Sequence, residues 1–124
     1  AQELDYIHNQ RNKQAIDAHL SAEKTATAYF ATNDSLAISV IRVASLHGLS
    51  TPHDISVVGF DDAPIAQHMS PLLTTFVFPM ETVAETAMRQ LIALVAGETV
   101  EEVRIPPRLI RRESTAPLVK LPGR

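Results

Sequence analysis

The sequence contains no cysteine, which excludes a disulfide framework and thiol chemistry and is compatible with a reducing compartment. Glycine is scarce and scattered, at Gly48, Gly59, Gly97 and Gly123, so there is neither a dinucleotide-binding nor a P-loop fingerprint. No Gly-x-Ser-x-Gly elbow exists for a hydrolase. No apolar run approaches the ~20 residues of a membrane span, and no signal peptide is present. Basic charge is not in excess. The formal net charge of -3 argues against this segment gripping DNA, because phosphate binding needs a basic face. No internal repeat or low-complexity tract interrupts the chain.

What is present is an ordinary globular balance over 124 residues, enough for one small domain or a fragment of a larger one. At this size roughly two thirds of the unfolded surface can be buried. The chain opens on Ala1 rather than Met, so an upstream segment is expected.

Ile55 to Asp62 (ISVVGFDD) organises the rest. A short run of β-branched and aromatic residues ending in two carboxylates reads as a strand buried on both faces of a parallel sheet. Gly59 allows another backbone or a ligand to come close. Asp61 and Asp62 then fall at the carboxyl end of the strand, where ligands bind in open α/β sheets.

Around it the chain predicts α, β, α, β, short α, β, α, β, β. Residues 9–22 read as a helix that Asp5 could cap, with Tyr6 in a preceding loop. Thr27 to Ala31 reads as a strand, and Ser35 to His47 as a helix ended by Gly48, with Leu49 closing the end. Asp62 to Pro64 read as the cap and first turn of a short helix running to His68. Leu72 to Phe78 reads as a strand and Met80 to Ala96 as a long helix opened by Pro79. Val103 to Pro106 and Leu109 to Arg112 read as two short strands, followed by a loosely held tail from Glu113. Strands alternating with helices imply right-handed crossovers and a parallel sheet, an α/β fold. Three core strands are few, which suggests a piece of something larger.

The second helix is too apolar for one buried face. Leu36, Ala37, Ile38, Val40, Ile41, Val43, Ala44 and Leu46 leave a thin polar strip, whereas one face on a sheet needs a stripe of roughly 100°. Either a homodimer contact through Leu36 and Ile38 or another part of the same, longer chain is expected to cover it.

For chemistry, His8, His19, His47, His53 and His68 lack metal-ligand spacing, and His19 is expected to be partly buried. Asp61 and Asp62 could form a catalytic or metal pair, but adjacent strand residues point to opposite faces and cannot easily share one proton or ion. The preferred division puts Asp61 toward the crevice with Asp62 as helix cap. Asn33 and Asp34 repeat it, Asn33 toward the crevice and Asp34 as cap. The bland alternative is that all four only satisfy turn and helix-end amides. Asn supplies a donor and an acceptor and Asp supplies acceptors, a combination that suits neighbouring hydroxyls, as on a sugar.

The stretches FATNDSLAISVIRVASLHGLSTPHDISVVGFDDAPIAQHMSPLLTTF and IPPRLIRREST resemble the effector-binding domain of LacI/GalR-type bacterial transcription regulators, in order and spacing, from about residue 27 to residue 117. The resemblance implies a Rossmann-like lobe of a periplasmic-binding-protein-like type I fold, here incomplete. It implies a cytoplasmic, dimeric, non-enzymatic regulator with a small effector, a sugar or sugar-like molecule, in the cleft between two lobes. Operator DNA would be bound through an N-terminal helix-turn-helix that this chain does not carry. By the same resemblance Asn33 and Asp61 match cleft residues that bind effector polar groups, and Tyr6 matches an aromatic that stacks on the ligand. Phe78 falls where many sugar-binding relatives carry a polar residue. Leu36, Ile38 and Met69 match the dimer surface. The chain would cross between lobes near Phe78–Pro79 and return near Pro107–Arg108. Residues 1–78 and 108–124 would then form the C-terminal lobe, and the helix and strand of 79–107 would belong to the missing lobe. That helix is expected to pack on a partner chain or be displaced. No cofactor is implied. The alternatives are a periplasmic sugar-binding protein of an uptake system and a glycosidase. The latter needs two inward carboxylates at defined separation, and only Asp61 is a credible one.

Overall fold

The computed structural model describes residues 2–22 and 26–118; the side chains of residues 2–10 lie outside that description. The described elements run α1 (Gln2–Ala22), β1 (Ala28–Phe30), α2 (Asp34–Leu46), β2 (Ser56–Phe60), a 3₁₀ turn (Pro64–Gln67), β3 (Thr74–Val77), α3 (Met80–Val95) and β4 (Arg108–Ile110). One four-stranded sheet has the order β1-β2-β3-β4. The first three strands are parallel, Tyr29 lying opposite Val57 and Gly59 opposite Thr75. The fold is α/β, as the alternation of elements requires. β4 departs from the all-parallel expectation, running antiparallel to β3 with Thr75 opposite Ile110 and Val77 opposite Arg108.

Alternation along β2 sets the two faces. Val57 and Gly59 are buried, whereas Ser56, Val58 and Phe60 are half-buried. The buried face meets α2, whose Ala37, Val40, Ile41, Val43 and Ala44 join Ile55, Val57 and Leu73 in the core. Full burial of a side chain such as Leu73 stabilises by roughly 1.5–3 kcal/mol. The other face is more open than a strand buried on both sides requires, with Phe30 62% exposed. Helix α1 packs on α2 and buries Leu20. Leu36, Ile38 and Met69 are half-buried against the same core. Part of the excess apolar surface of α2 is therefore covered within the chain.

Helix ends follow local chemistry. At the end of α2, Gly48 has φ +75, Gly48 N donates to Ser45 O and Leu49 N to Ala44 O, the bond pair of a Schellman motif. Helix α1 begins at Gln2 rather than near Asn9, so Asp5 is not its cap and Tyr6 lies within the helix, not in a loop. No glycine or proline occurs between Gln2 and Ala22 to stop it.

Two expectations fail toward the C-terminus. Val103 to Pro106 is not a strand; a strand needs a ladder partner, and only Arg108–Ile110 reaches β3. The segment from Glu113 is not loose. Ser114 is fully buried, its Oγ accepting from Thr74 N (2.8 Å) and donating to Val57 O (2.6 Å), while Val57 N donates to Ser114 O (2.8 Å). Glu113 Oε2 accepts from Leu72 N at 2.9 Å. Ser and Glu in this segment satisfy backbone groups that β2 and β3 leave unpaired at their starts.

Helix α3 buries none of its residues, although Met88, Leu91, Ile92 and Val95 are 54–82% exposed and apolar. No described helix is long and apolar enough to cross a membrane.

Candidate ligand site at the strand ends

The carboxyl ends of β1 and β2 carry Asn33 and Asp61, with Phe78 just past β3. Asn33 is extended (φ -154, ψ 165) and caps α2, its Oδ1 accepting from Leu36 N at 2.8 Å. This corrects the division read from the sequence, in which Asp34 was the cap. Asp34 is the first helical residue and points into the sheet. It is 1% exposed; its Oδ2 accepts from Ala63 N (2.7 Å) and its Oδ1 from Thr75 Oγ1 (2.5 Å). Gly59 makes room for it, since a Cβ there would overlap Asp34 Oδ1. The cap engages the amide oxygen of Asn33, and its amide nitrogen is a donor that the cap does not use.

Asp61 and Asp62 both have positive φ, 114 and 55, uncommon outside glycine. Asp61 N donates to Phe76 O at 2.8 Å, and its side chain stands in an exposed residue at the strand end. Partial burial raises its carboxyl above the usual range, and the negative charge of Asp34 adds to the rise. Asp62 is not a helix cap. The 3₁₀ turn starts after Ala63 without a side-chain cap bond, and Asp62 Oδ1 instead pairs with Arg112 Nη2 at 2.6 Å, the two side chains 16% and 13% exposed. Arg112 Nη1 also donates to Leu73 O at 2.9 Å. The bent backbone at Asp61 and Asp62 turns the second carboxylate back across the sheet end to the segment after β4.

All four phenylalanines meet beside this turn. Ring centroids lie 6.1 Å apart for Phe30–Phe76, 6.3 Å for Phe60–Phe76 and 6.1 Å for Phe60–Phe78. Phe78 is 38% exposed at the end of this row. The structure thus puts Phe78 against Phe60, next in the chain to Asp61. The side chain of Tyr6 lies outside the described residues. Sequence reasoning missed Asp34, Thr75 and Arg112 as the groups that hold this turn. The one signal for Asp34 was the pairing of a glycine-bearing central strand with an acidic helix start.

Elsewhere, Ile38 and Met69 flank one shallow groove with Arg42 and Pro71, and Leu36 is not among its lining residues. Thr51 Oγ1, also at this groove, is buried without a hydrogen-bond partner among the described residues. A second concavity lies at the opposite sheet end, between Leu20, Tyr29, Ser56 and Leu118; it adjoins residues outside the description. His19 is exposed rather than partly buried and meets Tyr29 edge to face, and His47 Nε2 lies 2.8 Å from Asp17 Oδ1. No cluster of three potential metal ligands occurs among the described residues.

A mostly parallel sheet with polar side chains at its carboxyl ends defines a binding-protein-like lobe. The family model described as periplasmic binding protein-like domain matches residues 2–115. The chain belongs to that family and, within it, to the effector-binding domains of LacI/GalR type. It is similar to catabolite control protein A of Priestia megaterium, 34% identical over 115 residues, covering 91% of this chain and 34% of that protein. Among solved structures, the lac repressor dimer bound to operator and the anti-inducer ONPF aligns with a TM-score of 0.76 at 30% identity, over 84% of this chain and 37% of that one. A LacI family transcriptional regulator from Enterococcus faecium with bound ribose aligns with a TM-score of 0.73 at 34% identity, over 90% and 41%. The chain spans about a third of the length of the curated relatives it matches.

Proposed function

We propose that this chain is the effector-binding and dimerisation part of a ligand-responsive, DNA-binding transcriptional repressor that senses a small polar molecule, a sugar or sugar-like compound. The observation that carries the reading is the family match together with the positions of Asn33 and Asp61, each just past the carboxyl end of one of two adjacent parallel strands. Asp61 accepts from a ligand hydroxyl, and Asn33 donates through the amide nitrogen that its capping oxygen leaves over. Phe78 offers an apolar ring against Phe60, the residue before Asp61, and Tyr6 is assigned as a stacking aromatic on the family resemblance alone. The ribose bound to the Enterococcus faecium regulator supports a sugar as the ligand class.

Operator binding belongs to an N-terminal helix-turn-helix outside this chain, and the protein acts in the cytoplasm. Dimerisation through Leu36, Ile38 and Met69 is supported by the dimeric state of the lac repressor it resembles and by the groove between Ile38 and Met69. No catalytic step and no cofactor are assigned. Residues 1–78 and 108–124 form one lobe, with 79–107 part of the other. The lack of any buried residue in α3 and the adjacency of Val77 and Arg108 in the β3–β4 ladder support that division.

The regulators among its relatives favour this over a periplasmic sugar receptor, which shares the two-lobe fold. Calorimetric titration of the full-length protein with pentoses, hexoses and disaccharides, alongside gel shift on its own promoter region, tests it. A dimer whose DNA binding responds to one sugar is expected. A monomer that binds sugar but no DNA would establish the uptake reading instead.

A further inference from the structure

Asp34 is buried almost completely, and among the described residues no basic side chain pairs with it. A buried carboxylate without a cation is costly unless its oxygens are hydrogen-bonded. Both are: Ala63 N donates to Oδ2 and Thr75 Oγ1 to Oδ1, and the start of α2 adds a favourable dipole. The bond to Ala63 fastens α2 to the residue directly after Asp61 and Asp62. Those two hold backbone conformations that L-residues rarely adopt, and such a turn persists only when its surroundings over-determine it. Asp34 grips it from the α2 side, and Arg112 grips Asp62 from the segment after β4.

We propose that Asp34 is a positioning residue for the ligand site: its carboxylate locks the Asp61–Ala63 turn so that Asp61 faces the crevice, and joins that turn rigidly to α2. The significance of the lock rests on Asp61 being a ligand-binding residue; the lock itself does not. Asp62 and Arg112, the other charged groups at this turn, are paired with each other. The charge of Asp34 adds to the rise that partial burial gives the Asp61 carboxyl, so removing it lowers the Asp61 midpoint.

The test follows amide exchange at Ala63 and carbon-detected carboxyl titration of Asp61 in the whole chain. Asp34→Asn keeps an acceptor for Ala63 and a donor toward Thr75, so Ala63 stays protected while the Asp61 midpoint falls. Asp34→Ala removes the anchor, and Ala63 exchange accelerates about tenfold or more, the change expected for a lost hydrogen bond to a charged group. Thr75→Val leaves the charge in place, so the Asp61 midpoint stays raised. Should Asp34→Ala not fold, Asp34→Ser takes its place, too short to reach Ala63. An unchanged Asp61 midpoint in Asp34→Asn, or unchanged Ala63 exchange in a folded Asp34→Ala or Asp34→Ser, overturns the proposal. Neither readout uses a ligand, so failure of the wild type to bind any sugar would overturn the functional reading and leave this one standing.

Discussion

Gly59 of β2 and Asp34 of α2 occupy one space: the carboxylate of Asp34 sits where a side chain on Gly59 would begin. Leu73 lies behind the same point, with its Cδ2 at 3.0 Å from the position a Cβ would take. The central strand can carry a helix-borne carboxylate against its face only because one residue of it has no side chain.

Gly59→Ala is expected to destabilise by about 1–3 kcal/mol, the usual cost of overpacking a close-packed core. In an Asp34→Ala background the same substitution should cost markedly less, because the overlapping oxygen is gone. Urea denaturation of the two singles and the double gives the coupling. Additive losses would mean that the two positions do not share the space.

Asp61→Asn should affect stability with a definite pH dependence. Its carboxyl titrates above the ordinary value of 3.8 in the folded protein, first through partial burial and then through Asp34. A raised folded value means that ionised Asp61 is disfavoured by folding. The favourable contribution of the protonated group is full below 3.8 and is lost as pH rises through the folded value. Asp61→Asn should therefore be at least as stable as wild type at neutral pH, with any advantage vanishing on acidification, while sugar binding falls. Thermal melts across that range check the first part, and calorimetry the second.

Arg112 reaches Asp62 with one nitrogen and the Leu73 carbonyl with another, in a setting that is mostly buried. Arg112→Met leaves Asp62 without a partner and should cost several kcal/mol, about 3–5 for a well-buried pair and less here because both side chains retain some solvent. Arg112→Lys should recover only part of it, since an ammonium cannot span both acceptors as the planar fork does. Chemical unfolding of the two variants measures the difference.

Leu91→Ser and Ile92→Ser in α3 should change the stability of this chain by no more than ~0.5 kcal/mol, because neither residue is buried. In the full-length protein the same substitutions should destabilise by roughly 2 kcal/mol or more if α3 packs on the other lobe. Equal small effects in both would remove the proposed division at residues 79–107.

Most elements could be read from the chain because their causes are local. The β-branched run of β2, the glycine at +75° after α2, and the proline opening α3 each act within a few residues. The apolar excess of α2 could be counted as well. What it packs against could not, since α1 covers part of it only in three dimensions. The start of α1 is not legible in the sequence because its first turns carry no apolar period, and helix propensity alone extends it to Gln2.

The sequence by itself determined an α/β domain of the periplasmic binding protein-like family, with polar residues waiting at the ends of β1 and β2. Tertiary structure decided which polar residue does what. Asn and Asp are both good helix caps and both good ligand partners, so local chemistry left Asn33 and Asp34 interchangeable. The contact across the sheet with Gly59, Ala63 and Thr75 assigned Asp34 to the interior and Asn33 to the cap. In the same way Arg112, 50 residues away in sequence, claimed Asp62 and left Asp61 exposed at the strand end. Hydrogen bonds between residues so far apart form only when the chain has closed, which is why no local pattern announced them.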